Sequence, residues 1–197
     1  MKLESFNQFK GKSEIHSICK KYGIKNYTIN NDGSIDVNGG VDLSGRNLTK
    51  LPLKFRHVSG NFYCNNNQLT SLEGSPQTVG GYFDCDNNKL TTLEGSPQKV
   101  EGNFYCNNNK LKDVKGFPER FYGKYIFISN NPVEEIFDLF PEDKWVELPE
   151  SLNEYDVPRD GKLIILQRLE QCFYDLGLEI PENLEKIKFK NYEIREF

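Results

Sequence analysis

Histidine is scarce in this chain of 197 residues, with two copies, and methionine and tryptophan occur once each. The two histidines, His16 and His57, have no nucleophile at helix or strand spacing, so a Ser-His or Cys-His catalytic pair is not expected. The five cysteines include no Cys-x-x-Cys pair. Gly80-Gly81 precedes a strand rather than a helix, so no phosphate-cradling loop is read there. No stretch approaches the roughly 20 apolar residues of a membrane span. The opening residues Met1-Lys2-Leu3-Glu4-Ser5-Phe6 lack the apolar centre and small-residue cleavage site of a signal peptide. The expectation is a cytoplasmic, reducing compartment in which Cys19, Cys64, Cys85, Cys106 and Cys172 stay free thiols; their odd number agrees.

Strong charge of one sign is also missing, since the formal net charge is −4. Its distribution is uneven. Residues 1–40 carry +2, residues 41–131 carry +3 and residues 132–197 carry −9. An acidic final third repels phosphate and favours solubility, so nucleic acid is a poor expected partner. Apolar residues make up 37% of the chain. That suits a thin, elongated body better than a single spherical core.

What the chain does have is repetition. Gly60-Asn61-Phe62-Tyr63-Cys64-Asn65-Asn66-Asn67-Gln68-Leu69 aligns without gaps on Gly81 to Leu90 and on Gly102 to Leu111, at a step of 21 residues. The linker Leu72-Glu73-Gly74-Ser75-Pro76-Gln77 recurs as Leu93-Glu94-Gly95-Ser96-Pro97-Gln98. A looser copy, Val41 to Pro52, precedes these units. A terminal copy, Tyr125 to Val133, follows them one residue out of step. About five rungs are expected.

Each unit can be read physically. Phe62 and Cys64 are two apart with polar or aromatic neighbours, the mark of a short strand with one buried face. Asn67 ends the strand, Leu69 and Leu72 continue the buried line past the bend, and Gly74-Ser75-Pro76 makes the return a turn rather than a helix. Val79 re-enters the core. One unit cannot bury its apolar side alone, but stacked copies can. Cys64, Cys85 and Cys106 then form one internal column, and Leu69, Leu90 and Leu111 another.

The pattern Phe62-x-Cys64-x-x-Asn67-x-Leu69-x-x-Leu72 resembles the leucine-rich repeat, with Phe and Cys at two leucine places, over about residues 41–135. The resemblance implies an α/β, β-rich leucine-rich-repeat solenoid. It also implies that Asn67, Asn88, Asn109 and Asn131 are buried at the bend, bonded to neighbouring backbone. The Leu-Glu-Gly-Ser-Pro and Val-x-Gly cadence is similar to short repeat proteins of bacteria and large tailed phages.

A repeat array needs caps. Residues 1–40 are read as the N-terminal cap. Ser13 is placed as the N-cap of a helix carrying Ile15, Ile18, Cys19 and Tyr22, stopped by Gly23. Tyr27-Thr28-Ile29 and Ile35-Asp36-Val37 flank Asn31-Asp32-Gly33 as a hairpin. Leu3, Phe6 and Phe9 lie three apart, fitting either a helical turn or a loose end. Residues 41–131 are the array. Residues 132–197 are an acidic, mainly helical C-terminal cap. In it Val133, Ile136, Phe137 and Phe140 share a helical face, and residues 141–160 read as irregular. Leu163 to Leu176 reads as a helix, and Ile187 to Ile194 as a further strand.

Two apparent metal signals fail on physical grounds. Strands stacked about 4.8 Å apart set the outer cysteines of the column near 10 Å apart, beyond one Zn²⁺ with bonds of about 2.3 Å. Asp84-Cys85-Asp86-Asn87-Asn88 begins like a calcium loop, but the sixth and twelfth places hold Lys89 and Gly95 where Gly and Glu are needed. No metal or cofactor is expected.

The outward strand positions are the candidate site: Asp42; Asn61, Tyr63 and Asn65; Tyr82, Asp84 and Asp86; Asn103, Tyr105 and Asn107; then Tyr125 and Phe127. Aromatic rings in line with Asn and Asp between them suit a protein-binding surface on the concave strand face. The expected function is a non-catalytic protein-interaction module. The phage-like cadence implies a modulator or inhibitor of a host protein. Three alternatives stay open: a structural virion component, a single-stranded nucleic-acid binder stacking bases on the tyrosines, and an enzyme in residues 132–197 built on Cys172. No membrane partner is expected, and the oligomeric state is not legible.

Overall fold

The computed structural model describes residues 11–196, and Leu3, Phe6 and Phe9 lie outside them. Helix α1 (Lys12–Tyr22) opens the described chain, followed by β1 (Tyr27–Ile29) and β2 (Ile35–Val37). The array then alternates between two sheets. One receives β4 (Phe55–Val58), β6 (Thr78–Val79), β8 (Lys99–Val100) and β10 (Arg120–Phe121). The other receives β3 (Val41–Asp42), β5 (Phe62–Tyr63), β7 (Phe83–Asp84), β9 (Phe104–Tyr105) and β11 (Ile126–Phe127). The spatial orders are β1-β2-β4-β6-β8-β10 and β11-β9-β7-β5-β3, parallel throughout except for the β1–β2 hairpin. The result is a β-solenoid of about four turns.

The second sheet was not expected. Val58, Val79, Val100 and Phe121 recur at the same step of 21, but β6, β8 and β10 are only two residues long. Such a strand is too short to show alternation. The sheet β3-β5-β7-β9-β11 has five strands separated by four steps, which make the four turns. Three steps are of 21 residues, and the last, Phe104 to Ile126, is of 22. The other sheet keeps 21 between Lys99 and Arg120, so the extra residue falls in the following corner. There the backbone N–H groups of Lys124 and Tyr125 both donate to Asn103 Oδ1 at 3.1 Å.

The core is a set of columns. Phe62, Phe83 and Phe104 are fully buried with ring centroids 5.8 and 5.2 Å apart. Cys64, Cys85 and Cys106 run beside them, and Leu69, Leu90 and Leu111 complete the layer. All five cysteines are free and buried. Close stacking restricts the corners. A Cβ on Gly102 would lie 2.8 Å from the Gly81 carbonyl carbon and 2.5 Å from the Tyr82 ring, so the corner takes glycine for lack of space.

The expected asparagine ladder is present and is bonded at both ends. Asn88 Nδ2 donates to Cys85 O in its own turn and to Cys64 O in the preceding turn, both at 3.0 Å. Its Oδ1 accepts the Leu69 N–H of the preceding turn at 2.9 Å. Asn67, Asn109 and Asn131 repeat the arrangement. The residue before each is another asparagine in the left-handed region: Asn66, Asn87, Asn108 and Asn130, with φ between 52 and 58°. That conformation turns the chain at the corner, and Asn tolerates it better than most residues.

Several expectations about the caps need correction. The N-cap position of α1 is Gly11, with no side-chain cap bond, and Ser13 lies inside the first turn. Residues 141–160 are not irregular throughout. A 3-10 turn (Glu142–Lys144) is followed by α3 (Leu148–Glu154), whose Pro149 sits in the first turn where a missing N–H costs nothing. The 163–176 segment is not one helix. Leu163–Ile165 is strand β12, and α4 spans Leu166–Asp175. The β-branched pair Ile164-Ile165 favours the extended form and pairs in parallel with β13 (Glu193–Arg195), the only part of the 187–194 expectation that is strand. The Val133–Phe140 face includes the short helix α2 (Glu134–Phe137), and all four apolar residues are buried. The C-terminal segment is mainly helical in its regular structure, with one two-stranded parallel sheet added.

One hydrophobic cluster runs from Ile15 to Tyr192 through array and flanks alike. Phe140 and Phe173 stack 4.2 Å apart, and Trp145 Nε1 donates to the Phe137 and Phe140 carbonyls at 3.1 Å. The segment is tied to the last turn by Tyr192 Oη donating to Lys112 O at 2.9 Å and by a 3.2 Å ion pair of Lys115 with Asp156.

Replacing Asn88 with Ala strands the Leu69 N–H and leaves the Cys64 and Cys85 carbonyls with one donor each, Asn67 and Asn109, for a total cost of about 2–3 kcal/mol. The expected outcome is a drop in Tm of about 6–12 °C. Asn87→Gly keeps the left-handed corner and should stay within about 1 kcal/mol of the parent. Thermal melts of the two variants check the contrast.

Candidate functional site

The sheet β3-β5-β7-β9-β11 brings the expected outward positions onto one face. Its registers set Asp42 beside Tyr63, Tyr63 beside Asp84, Asp84 beside Tyr105 and Tyr105 beside Phe127. Four rings touch in sequence. Tyr82 meets Tyr105 edge-on at 6.0 Å, Tyr105 stacks on Phe127 at 4.6 Å, and Phe127 meets Tyr125 at 6.1 Å. Tyr82, Tyr125 and Phe127 are 42%, 48% and 38% exposed, high for such large side chains. Tyr63 belongs to the face but not to this ring cluster. Asp84 stands between it and Tyr105, and its hydroxyl accepts from Asn61 Nδ2 at 2.8 Å.

The asparagines of the face are partly committed to structure. Asn61 Oδ1 accepts the Tyr82 N–H at 2.8 Å, and Asn107 Oδ1 accepts the Ser129 N–H at 2.9 Å. Asp86 Oδ1 accepts the Asn107 N–H at 2.6 Å, and Asn107 Nδ2 donates to Asp86 Oδ2 at 3.1 Å. By the same pattern Asn65 Oδ1 would take the Asp86 N–H. Asp84 Oδ1 takes it instead, at 3.0 Å, and Asn65 Oδ1 is left buried without a partner.

The carboxylates differ along the face. Asp42 is held below its ordinary range by the Ser44 hydroxyl and backbone N–H, which both donate to Oδ1. Burial raises Asp84 to about 6; the Asp86 N–H pulls the other way and the Asp86 carboxylate adds to the rise. Asp86 is raised by burial, against the bonds it receives from Asn107. Among the described residues neither Asp84 nor Asp86 is in an ion pair.

The array's cations lie mainly elsewhere. The opposite sheet aligns Asp36, His57, Thr78, Lys99 and Arg120 across its strands. Arg56 pairs with Asp36 and Lys99 with Glu101. His57 Nδ1 bonds Thr78 Oγ1, and His16 Nδ1 bonds Tyr27 Oη, so both histidines have neutral hydroxyl partners.

Two features were missed in the sequence. Lys124, the extra residue, carries its ammonium 4.9 Å from the Tyr125 ring centroid. A cleft of about 460 Å³ opens at the first end of the face, lined by Tyr22, Ile24, Asp42, Asn61 and Tyr63 among others. Tyr22 and Ile24 reach it from α1 and the turn after it, outside the repeat. Periodicity therefore gave no sign of them.

Among the described residues no group of three His, Cys, Asp or Glu side chains is placed to hold a metal ion, and no helix is long and apolar enough to cross a membrane. Burial pushes the Cys64, Cys85 and Cys106 thiols far up, and burial with the Asp175 carboxylate pushes Cys172 to about 12. Fold and surface together define a two-sheeted parallel β-solenoid with an aromatic and acidic strand face. The chain matches no known family, no curated protein and no solved structure.

Asp84 ionises at about 6 when folded and at 3.8 by default, so its contribution to stability is undiminished below about pH 4 and falls as pH rises towards 6. With solvent screening of a half-buried carboxyl, the ionised form costs about 1 kcal/mol. Asp84→Asn keeps the acceptor for the Asp86 N–H. It should raise Tm by about 2–4 °C at pH 7.5 and leave it unchanged at pH 3.5, measured by calorimetry.

Proposed function

We propose that this chain is a non-catalytic binding module of the leucine-rich-repeat type that docks a partner protein on the β3-β5-β7-β9-β11 face. The observation that carries the reading is the contiguous, solvent-facing ring cluster of Tyr82, Tyr105, Phe127 and Tyr125 on rigid strands. Large aromatic side chains held in place lose little entropy on binding and are enriched where partners meet. Repetition alone supplies outward positions, but it does not require them to be aromatic. The equivalent places carry Asp42 and Asp84 on other strands. The asparagine ladder and the Leu-Glu-Gly-Ser-Pro cadence support the short bacterial or phage type, and with it an accessory protein that modulates a host protein. A partner role is also favoured by the burial of every thiol, which leaves Cys172 a poor nucleophile.

The test is site-specific photo-crosslinking in lysate of the source organism. Benzoylphenylalanine in place of Tyr82 should give discrete crosslinked species. In place of Tyr174, which is 75% exposed on α4 and away from the face, it should give none. Equal products from both positions, or none from position 82, would overturn the proposal.

A further inference from the structure

Asp84 sits at the middle of the face in an unusual state. Its strand neighbours are Tyr63 on one side and Tyr105 on the other. Among the described residues its one donor is the Asp86 backbone N–H. It is half-buried beside a second half-buried carboxylate, and burial holds both above the ordinary range with no cation contributing. Two cations of the opposite sheet, Arg56 and Lys99, are engaged with Asp36 and Glu101. Desolvation thus falls on a carboxylate pair that hydrogen bonds offset in part and that no cation of the described residues pairs with. An incoming guanidinium or ammonium recovers that cost by a charge-assisted hydrogen bond. The two phenol rings in register on either side add cation–π attraction.

We infer that the face receives an extended, basic segment of a partner protein, with one arginine or lysine side chain seated on Asp84 between Tyr63 and Tyr105. This rests on the binding reading proposed above and names the chemistry of the partner. Size agrees. Five strands about 4.8 Å apart span about 19 Å, the length of about six extended residues at about 3.3 Å each. The ring cluster of Tyr105, Phe127 and Tyr125 lies at one end for apolar side chains of that segment. The cleft of about 460 Å³ by Tyr22, Asp42 and Tyr63 lies at the other. A single-stranded nucleic acid would set phosphates against Asp42, Asp84 and Asp86, so the basic peptide is the better fit.

The test uses the full chain and three labelled probes in fluorescence anisotropy at pH 7.5 and low salt: an alternating glycine–arginine octapeptide, a glycine–glutamate octapeptide and a 15-nucleotide oligothymidylate. The arginine peptide should bind and the other two should not. The pair Asp84→Asn and Asp86→Asn should weaken binding by about tenfold or more, as loss of a charge-assisted contact does. The pair Glu179→Gln and Glu182→Gln removes the same charge from exposed positions in the C-terminal segment and should change binding by less than about twofold. Melting curves verify that each variant is folded. Arginine-peptide binding that the Asp variants leave unchanged, or tighter binding of the oligonucleotide, overturns this inference. If position 82 still crosslinks a partner in that case, the basic segment is wrong and the binding face stands. If position 82 also gives no product, both readings fall.

Discussion

Each buried asparagine amide of this solenoid is bonded to two turns at once, and the remainder of the architecture depends on that. Asn88 reaches the carbonyls of Cys85 and Cys64 and the N–H of Leu69, so one side chain closes the corner of its own coil and clamps the coil before it. A corner without such a group would strand polar backbone inside an apolar column. The left-handed asparagine before it supplies the bend, and the residue before that begins the outward face. Three consecutive polar residues thus do three different jobs. The low apolar content of the chain follows from this, because much of the interior backbone is satisfied by amide side chains rather than hidden behind bulk.

The two sheets share one core and diverge outside it. On the β2-β4-β6-β8-β10 side Arg56 pairs with Asp36 of the neighbouring strand and Lys99 with Glu101 of its own segment. The opposite side carries rings and half-buried carboxylates, with Lys124 against Tyr125 at its far end. An aromatic cluster that is partly exposed costs little on strands held in a ladder, β7 and β9 bonded on both sides and β11 to β9 on one. The exposed rings therefore form a platform fixed by the same hydrogen bonds that build the coil.

The columns were legible because the step of 21 residues is nearly invariant. Phe62, Cys64, Asn67 and Leu69 fall in place with their copies as soon as the repeat is aligned. So does the candidate face, since alternation about a buried Phe and Cys leaves no choice of side for Tyr63 or Asp84. The second sheet was hidden because two-residue strands show no alternation. In the C-terminal segment no repeat restrains the reading, and local propensity misled. Leu163 continues a helical apolar pattern into Leu166, yet Ile164 and Ile165 extend and pair with Ile194 and Arg195, a contact invisible at that separation. The cleft by Tyr22 was equally out of reach, being made by elements distant in sequence. The electrostatic state of Asp84 also needs the fold, because it depends on Asp86 having its N–H captured and on no cation of the described residues pairing with it.

The extra residue at Lys124 gives the array a direction. Within the three equal steps, each ladder of bonds repeats with its own fixed separation, 19 and 24 residues for the asparagines and 20 for most backbone bonds. A unit could be cut out or copied in at any corner and all ladders would remain in phase. The 22-residue step takes up its extra residue in the corner before β11, so Ile126 still faces inward and Phe127 outward and only that corner differs from the others. The chain is therefore a text with interchangeable words and a single full stop. Its length can change by whole units while the closing turn, and the C-terminal segment attached to it, stay as they are.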